Sequence, residues 1–276
     1  MRSSWLKSVL SPSALCNIAL SAACIVLQVS SSHALPLSPE TSVNSNEMLV
    51  FEQMSVPRWL AETVVRAAHV TNTDPAYLMA LADKESSLLP DSKARTSSAE
   101  GLFQFIESTW LHVLRRYGPK HGYAAEAEAI EIIHGRPVVP DSNQREAIMN
   151  LRRDPYLSAL MAGETINSHR QILAGEVARD PSFSELYMAH FLGVNGARRF
   201  VDLLSEQPGK SAPEAFPQAA KANRSLFFDE EARSAQAKAL SVAEVQARIS
   251  AMIDRGVARY ASVRSDLAPV QVAAIE

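Results

Sequence analysis

A glutamate occupies a position where an apolar residue is expected in the segment LMALADKESSLLP, residues 78–90. If this segment is helical, Leu78, Leu81 and Ala82 form one apolar face, and Glu85 is the next residue on that face. Burial penalises the charged form of a carboxyl group, and the negative end of the helix dipole acts in the same direction. A carboxyl group that stays protonated can donate its proton to a glycosidic oxygen. Glu85 is therefore a candidate acid catalyst, although a half-buried, hydrogen-bonded glutamate would give the same pattern.

A second candidate is Gln104, the one polar side chain in the run LFQFI, residues 102–106. An amide in such apolar surroundings is expected to have a hydrogen-bond partner. The partner could be the protein backbone, or it could be a hydroxyl or N-acetyl group of a bound sugar.

Another carboxylate repeats the spacing that leads to Glu85. In DPYLSALMAGE, Leu157, Leu160 and Met161 form an apolar face on which Glu164 is the next residue. If Glu164 shared a cleft with Glu85, it could position a water molecule or bind sugar, but a salt-bridged glutamate would fit the pattern equally well. The acids near the first motif that lack this spacing are expected to be solvated: Asp91, Glu100 and Glu107.

Together, the first two segments form a specific pattern, ESSLLPDSKARTSSAEGLFQF, residues 85–105. It resembles the signature of the soluble lytic transglycosylases, which belong to the goose-type lysozyme superfamily. In that family a segment of the form E-S-x-F-x-P precedes a segment G-L-M-Q. The matching positions are Glu85, Ser86, Pro90, Gly101, Leu102 and Gln104, with apolar replacements at Leu88 and Phe103.

This resemblance implies a lysozyme-like helical fold and cleavage of the bond between N-acetylmuramic acid and N-acetylglucosamine in peptidoglycan. It further implies that Glu85 is the single acid and base, and that Ser86 orients it or the substrate. Gln104 and the neighbouring chain up to Phe105 would line the saccharide cleft. No metal or organic cofactor would be needed, and the histidines show no metal-ligand spacing such as H-E-x-x-H.

The third family motif, A-Y-N-A-G, is altered in this chain. Its counterpart is AHFLG, residues 189–193, in which His190 replaces the tyrosine and Phe191 the asparagine. Tyr187 lies three residues before His190, so on a helix either side chain could reach the cleft and bind substrate. His190 could also be a hydrogen-bonded core histidine.

Three functions remain open at this point. The first is a lytic transglycosylase that leaves 1,6-anhydro ends. The second is a muramidase that hydrolyses the same bond with water, which Glu164 would assist. The third is a cell-wall binding or scaffold protein that has the fold without turnover, which the altered third motif suggests.

The remaining patterns predict an all-α domain. Asp74 and Pro75 are typical of a helix start, and Asp154 with Pro155 repeats that start. AAEAEAIEII, residues 124–133, is composed of good helix formers. A break between two helices is expected near Gly193, and a further helix is expected over residues 242–260.

The chain of 276 residues is expected to contain four regions. Residues 1–34 have the basic, apolar and small-residue pattern of a secretory signal peptide, and both cysteines lie there. Residues 35–55 are interpreted as a flexible leader, 56–206 as the catalytic domain, and 207–276 as a helical extension that could bind a protein partner. The expected location is the periplasm or the exterior, with no membrane association after signal cleavage. The net charge of -3 and the lack of a Lys/Arg cluster argue against nucleic acid as a partner.

Overall fold

The computed structural model describes residues 47–177, 179–229 and 237–267; the predicted signal peptide and both cysteines lie outside these ranges. The helices are α1 Arg58–Thr71, α2 Pro75–Ser86, α3 Glu107–Tyr117, α4 Ala124–Glu128, α5 Ser142–Asn150, α6 Pro155–Val177, α7 Phe183–Glu206, α8 Ala212–Ala215, α9 Pro217–Ala222, α10 Arg224–Phe227, α11 Val242–Arg259 and α12 Val263–Asp266. The predicted fold class, all-α and lysozyme-like, is confirmed. None of the helices in the described ranges is long and apolar enough to cross a membrane.

Helix α2 begins and ends as its sequence predicts. The side chain of Asp74 accepts a hydrogen bond from the backbone N–H of Tyr77, and Pro75 occupies the first helical position. At the other end, Ser87 adopts a left-handed conformation with φ of 54° and stops the helix directly after Glu85 and Ser86. The carboxyl group of Glu85 therefore lies in the last turn of a helix whose ends are both fixed.

This helix is the centre of the domain, because α1 and α11 both pack against it. Tyr77, Leu78 and Met79 are fully buried on different sides of α2. The long helices α6 and α7 complete the core. Helix α1 packs closely along α6, and Thr71 of α1 leaves room only for a glycine at position 163 of α6. A β-carbon at Gly163 would lie 2.2 Å from the Thr71 hydroxyl oxygen.

Within the described residues, three short antiparallel hairpins supplement the helices, and the sequence analysis predicted none of them. They pair β1 Met48–Phe51 with β2 Met54–Pro57, β3 Glu131–Ile133 with β4 Arg136–Val138, and β5 Phe228–Asp229 with β6 Lys238–Ala239. The first hairpin corrects the predicted leader, residues 35–55, whose last part is ordered. Phe51 is buried there and packs on Tyr260 with ring centroids 5.1 Å apart. The second hairpin shortens the predicted helix 124–133 to the five residues of α4.

The described part of residues 207–276 packs against the domain formed by residues 56–206 as an integral layer. Helix α11 contacts both α2 and α7, and Arg259 near its end bonds to Asp83 of α2 at 2.8 Å. Arg264 pairs with Asp74, the residue that caps α2, at 2.9 Å. The region predicted as an extension thus supports the helix that carries Glu85.

Candidate active site

A cavity of about 330 Å³ lies between the loop that follows residue 98 and the helices α6 and α7. Its walls are formed by Phe103, Gln104, Phe105, Ile106, Thr109, Thr165, His169, Ala189, His190 and Gly193. Three of the sequence-predicted site residues, Gln104, Phe105 and His190, are therefore brought together around one space. The other predicted residues are not among those that line this space: Glu85, Ser86, Glu164 and Tyr187.

Glu85 does not itself line this cavity, but it contacts His190, which does. Its carboxylate oxygen Oε1 is 3.4 Å from Nε2 of His190, which is a long contact, and its side chain is 20% exposed. The carboxyl group of Glu85 is thus largely, but not fully, shielded from water. The structure therefore places the expected acid beside His190, the residue expected to replace the family tyrosine.

The backbone just after Glu85 is strained. Ser87 and Leu88 both adopt positive φ angles, 54° and 60°, which are uncommon for residues other than glycine. Leu88 is nevertheless buried, so packing holds it in this conformation. Conformations of this kind persist where the surrounding structure overdetermines them, which is frequent at functional sites.

Ser86 and Gln104 make contacts that fix the cavity loop. The Ser86 hydroxyl, which is buried, donates to the carbonyl of Leu102 at 2.8 Å and so ties α2 to the loop. The Gln104 amide nitrogen donates to the carbonyls of Ser92 and Gly101 at 3.0 and 2.8 Å. The partner of the Gln104 N–H groups is thus the backbone, while the residue itself still lines the cavity.

A buried ion pair that the sequence did not indicate holds the same loop. Arg152 donates to Glu100 at 2.6 Å and to the carbonyls of Ser98 and Phe105, and Arg153 bonds to the other Glu100 oxygen. Glu100 was expected to be solvated, but it is 4% exposed. Burial raises the pKa of its carboxyl group, but the hydrogen bond from Arg153 and the charge of Arg152 outweigh burial, so the pKa lies below its ordinary value.

The loop also needs a glycine where the family motif has one. A β-carbon at Gly101 would lie 2.0 Å from the backbone oxygen of Arg152, and φ is 85°. No other residue fits both the conformation and the space. Gly101, Arg152 and Glu100 therefore determine the shape of the cavity wall that contains Gln104.

Tyr187 and Glu164 do not line the cavity. The Tyr187 ring is buried, stacks on Phe191 with centroids 6.3 Å apart, and has its pKa raised by burial and by the charge of Glu85. Glu164 is buried as well, but its carboxylate bonds to Lys120 at 2.6 Å and to His121 at 2.9 Å. The structure thus shows the salt-bridged alternative for Glu164.

Two residues of α6 that the sequence interpretation missed are Thr165 and His169, which both line the cavity. They are four residues apart, so they lie on one face of the helix, next to the face that carries Glu164. The sequence signal that could have identified these two residues is their spacing as a polar pair on one helix face. Burial and the nearby charge of His190 lower the pKa of His169 to about 4, so its imidazole is neutral at pH 7.

Residues 62–128 match the family model of the transglycosylase SLT domain. This match confirms the resemblance that the motifs of residues 85–105 indicated. The SLT match begins in α1 and ends in α4, so it includes Glu85 and the cavity loop but not the cavity walls from α6 and α7. At the family level it indicates transglycosylase-type activity on peptidoglycan. Within the described ranges, no cluster of three or more potential metal ligands is present.

The lowered pKa of His169 predicts a pH-dependent stability. The unfolded chain takes up a proton near the ordinary histidine pKa of 6.5, whereas the folded chain takes it up only near 4. Stability should therefore fall as the pH is lowered from about 6.5 to about 4. In His169→Phe this fall should be smaller, as measured by urea unfolding across that range. The exposed His112→Gln variant is the control, and a His169→Phe profile equal to that of the control would contradict the prediction.

Proposed function

We propose that this protein is exported and cleaves the β-1,4 bond between N-acetylmuramic acid and N-acetylglucosamine as a lytic transglycosylase. The observation that carries the proposal is the position of Glu85, which is shielded in the last turn of α2 and contacts His190, a residue that lines a sugar-sized cavity. The SLT match, which includes Glu85 and the cavity loop but not His190, supports it. Export is part of the proposal because peptidoglycan lies outside the cytoplasmic membrane.

The proposed reaction uses Glu85 twice. Its protonated carboxyl group gives the proton to the glycosidic oxygen while the bond from that oxygen to C1 of muramic acid breaks. The resulting carboxylate then removes the proton of the muramic acid C6 hydroxyl, whose oxygen forms a bond to C1 and closes a 1,6-anhydro ring. His190, in contact with the Glu85 carboxylate, would hold that group in position during both steps.

The positions of the other acids favour this reaction over hydrolysis. Hydrolytic glycosidases use a second carboxylate near the scissile bond. Here three nearby carboxylates are already paired with basic side chains. Glu164 bonds to Lys120 and His121, and Glu100 bonds to Arg152 and Arg153. Glu107 pairs with Arg145. When the C6 hydroxyl of the substrate is the nucleophile, one carboxyl group is sufficient.

Mass spectrometry of the muropeptides released from purified sacculi tests the reaction. The chain without its predicted signal peptide should release products that end in 1,6-anhydro-muramic acid. Reducing-end products would instead establish a muramidase. Binding to sacculi without any release would establish the non-catalytic alternative and contradict the proposal.

A further inference from the structure

A second cavity, of about 410 Å³, lies on α7 next to the candidate active site. On its α7 side it is lined by Phe191, Leu192, Gly196 and Arg199, and the other wall is the segment from Ala215 to Ala219. His190 lines the first cavity, and Phe191, the next residue in α7, lines the second. The Cα atoms of these two residues are about 3.8 Å apart. All of its lining residues lie beyond residue 128, where the SLT match ends.

The walls of this second cavity are built by packing. Phe216 is buried and lies against Phe200 with ring centroids 5.6 Å apart. Phe191 contacts the rings of Tyr187 and Phe227 at 6.3 and 6.1 Å. The apolar lining is therefore held in place by the core rather than by exposed side chains alone.

Arg199 is the charged residue among those that line this cavity in the described part of the chain. The Arg199 guanidinium lies over the Phe216 ring, 5.4 Å from its centroid. No Asp or Glu is among the residues that line the cavity in the described part of the chain. A ring below the guanidinium restricts its position while its N–H groups stay available to an anion. Gln218 adds an amide that can bond to a peptide group.

We propose that this second cavity binds the peptide stem of peptidoglycan, with Arg199 pairing with a stem carboxylate. The stem begins on the muramic acid that the proposed function places at Glu85, and its small side chains and carboxylates suit the apolar walls and the single arginine. The inference rests on the proposed function, since it names the part of the substrate that the neighbouring site would take. It makes Arg199 a specificity-determining residue outside the catalytic cavity.

Kinetics on two substrates test this inference. Arg199→Ala should raise the KM for stem-bearing peptidoglycan about tenfold, because a charge-assisted hydrogen bond is lost, and should leave kcat unchanged. The same variant should match the wild type on glycan strands whose stems an amidase has removed, and Arg199→Lys should recover part of the loss. Arg224→Ala is the matched control, because Arg224 lies over Phe228 at 4.5 Å and does not line the cavity. An equal effect of Arg199→Ala on both substrates, or none, would overturn the inference.

A binding measurement separates this inference from the proposed function. The free stem tripeptide and its C-terminal amide are titrated into the ¹⁵N-labelled full mature chain and followed by NMR. The tripeptide with a free C-terminal carboxylate should shift the backbone N–H signals of Phe216 and Gln218. The tripeptide with a C-terminal amide should shift them much less, and Arg199→Ala should abolish the shifts. These shifts support the site even if sacculi are not cleaved, whereas their absence in a protein that does cleave sacculi would refute the site and leave the proposed function intact.

Discussion

Replacing Glu85 by glutamine should lower the rate of muropeptide release by roughly 10²- to 10⁴-fold, the range that a general acid or base contributes. Glutamine has nearly the same size as glutamate, so the last turn of α2 should remain folded. It can neither give a proton to the leaving oxygen nor take one from the C6 hydroxyl. The rate is measured from the soluble muropeptides that the purified variant releases from sacculi, beside its urea unfolding curve.

Glu107→Gln is the control for this loss. Glu107 lies just after the same motif, and its partner Arg145 is 44% exposed, so the pair is a surface ion pair that contributes little. The Glu107 variant should release muropeptides at the wild-type rate. Full activity of the Glu85→Gln variant would contradict the assignment of Glu85 as the acid and base.

Glu164→Gln separates the transglycosylase from the hydrolase. Because the Glu164 carboxylate is paired with Lys120 and His121, whereas Glu85 contacts His190 of the cavity wall, this variant should form the same products at a similar rate. A loss as deep as that of Glu85→Gln, at unchanged stability, would show that a second carboxylate takes part. The muramidase would then be the better description.

Local signals predicted the part of the site that one short segment specifies. Asp74, Pro75 and the apolar face of α2 predicted where the helix starts and which side Glu85 occupies. The break expected near Gly193 is present as a kink in α7, where φ is 71° and ψ is 162°. In each case the residues that decide the structure lie within a few turns of each other along the chain.

The parts that were missed depend on contacts distant in sequence or on turn chemistry. Glu100 and Arg152 are 52 residues apart, and no local pattern in either segment indicates the other. Thr165 and His169 form a polar pair at helical spacing, but their place at the cavity depends on α6 packing beside the loop. The second hairpin had a local signal that helix propensity outweighed: His134 and Gly135 both have positive φ, as a two-residue hairpin turn requires.

The substitution Arg152→Met should lower the free energy of unfolding by about 3–5 kcal/mol, as expected when one partner of a buried ion pair is removed. Glu100 would remain buried with Arg153 as its hydrogen-bonded cation, and the carbonyls of Ser98 and Phe105 would lose the Arg152 donor. Urea unfolding at pH 7 measures the change. Arg145→Met is the control, because it removes an exposed partner and should cost at most about 1 kcal/mol.

The pH dependence of the same variant identifies the cause. In the wild type the pKa of Glu100 is lowered, so its contribution to stability is complete above its ordinary pKa and is lost as the pH falls through the lower, folded value. Without Arg152 the folded pKa rises, and less stability remains to be lost in acid. Adding Glu100→Gln to Arg152→Met should recover part of the stability at pH 7, because the buried charge is then gone. If Arg152→Met costs under 1 kcal/mol, or the double variant is no more stable than the single one, then the ion pair does not hold the cavity loop.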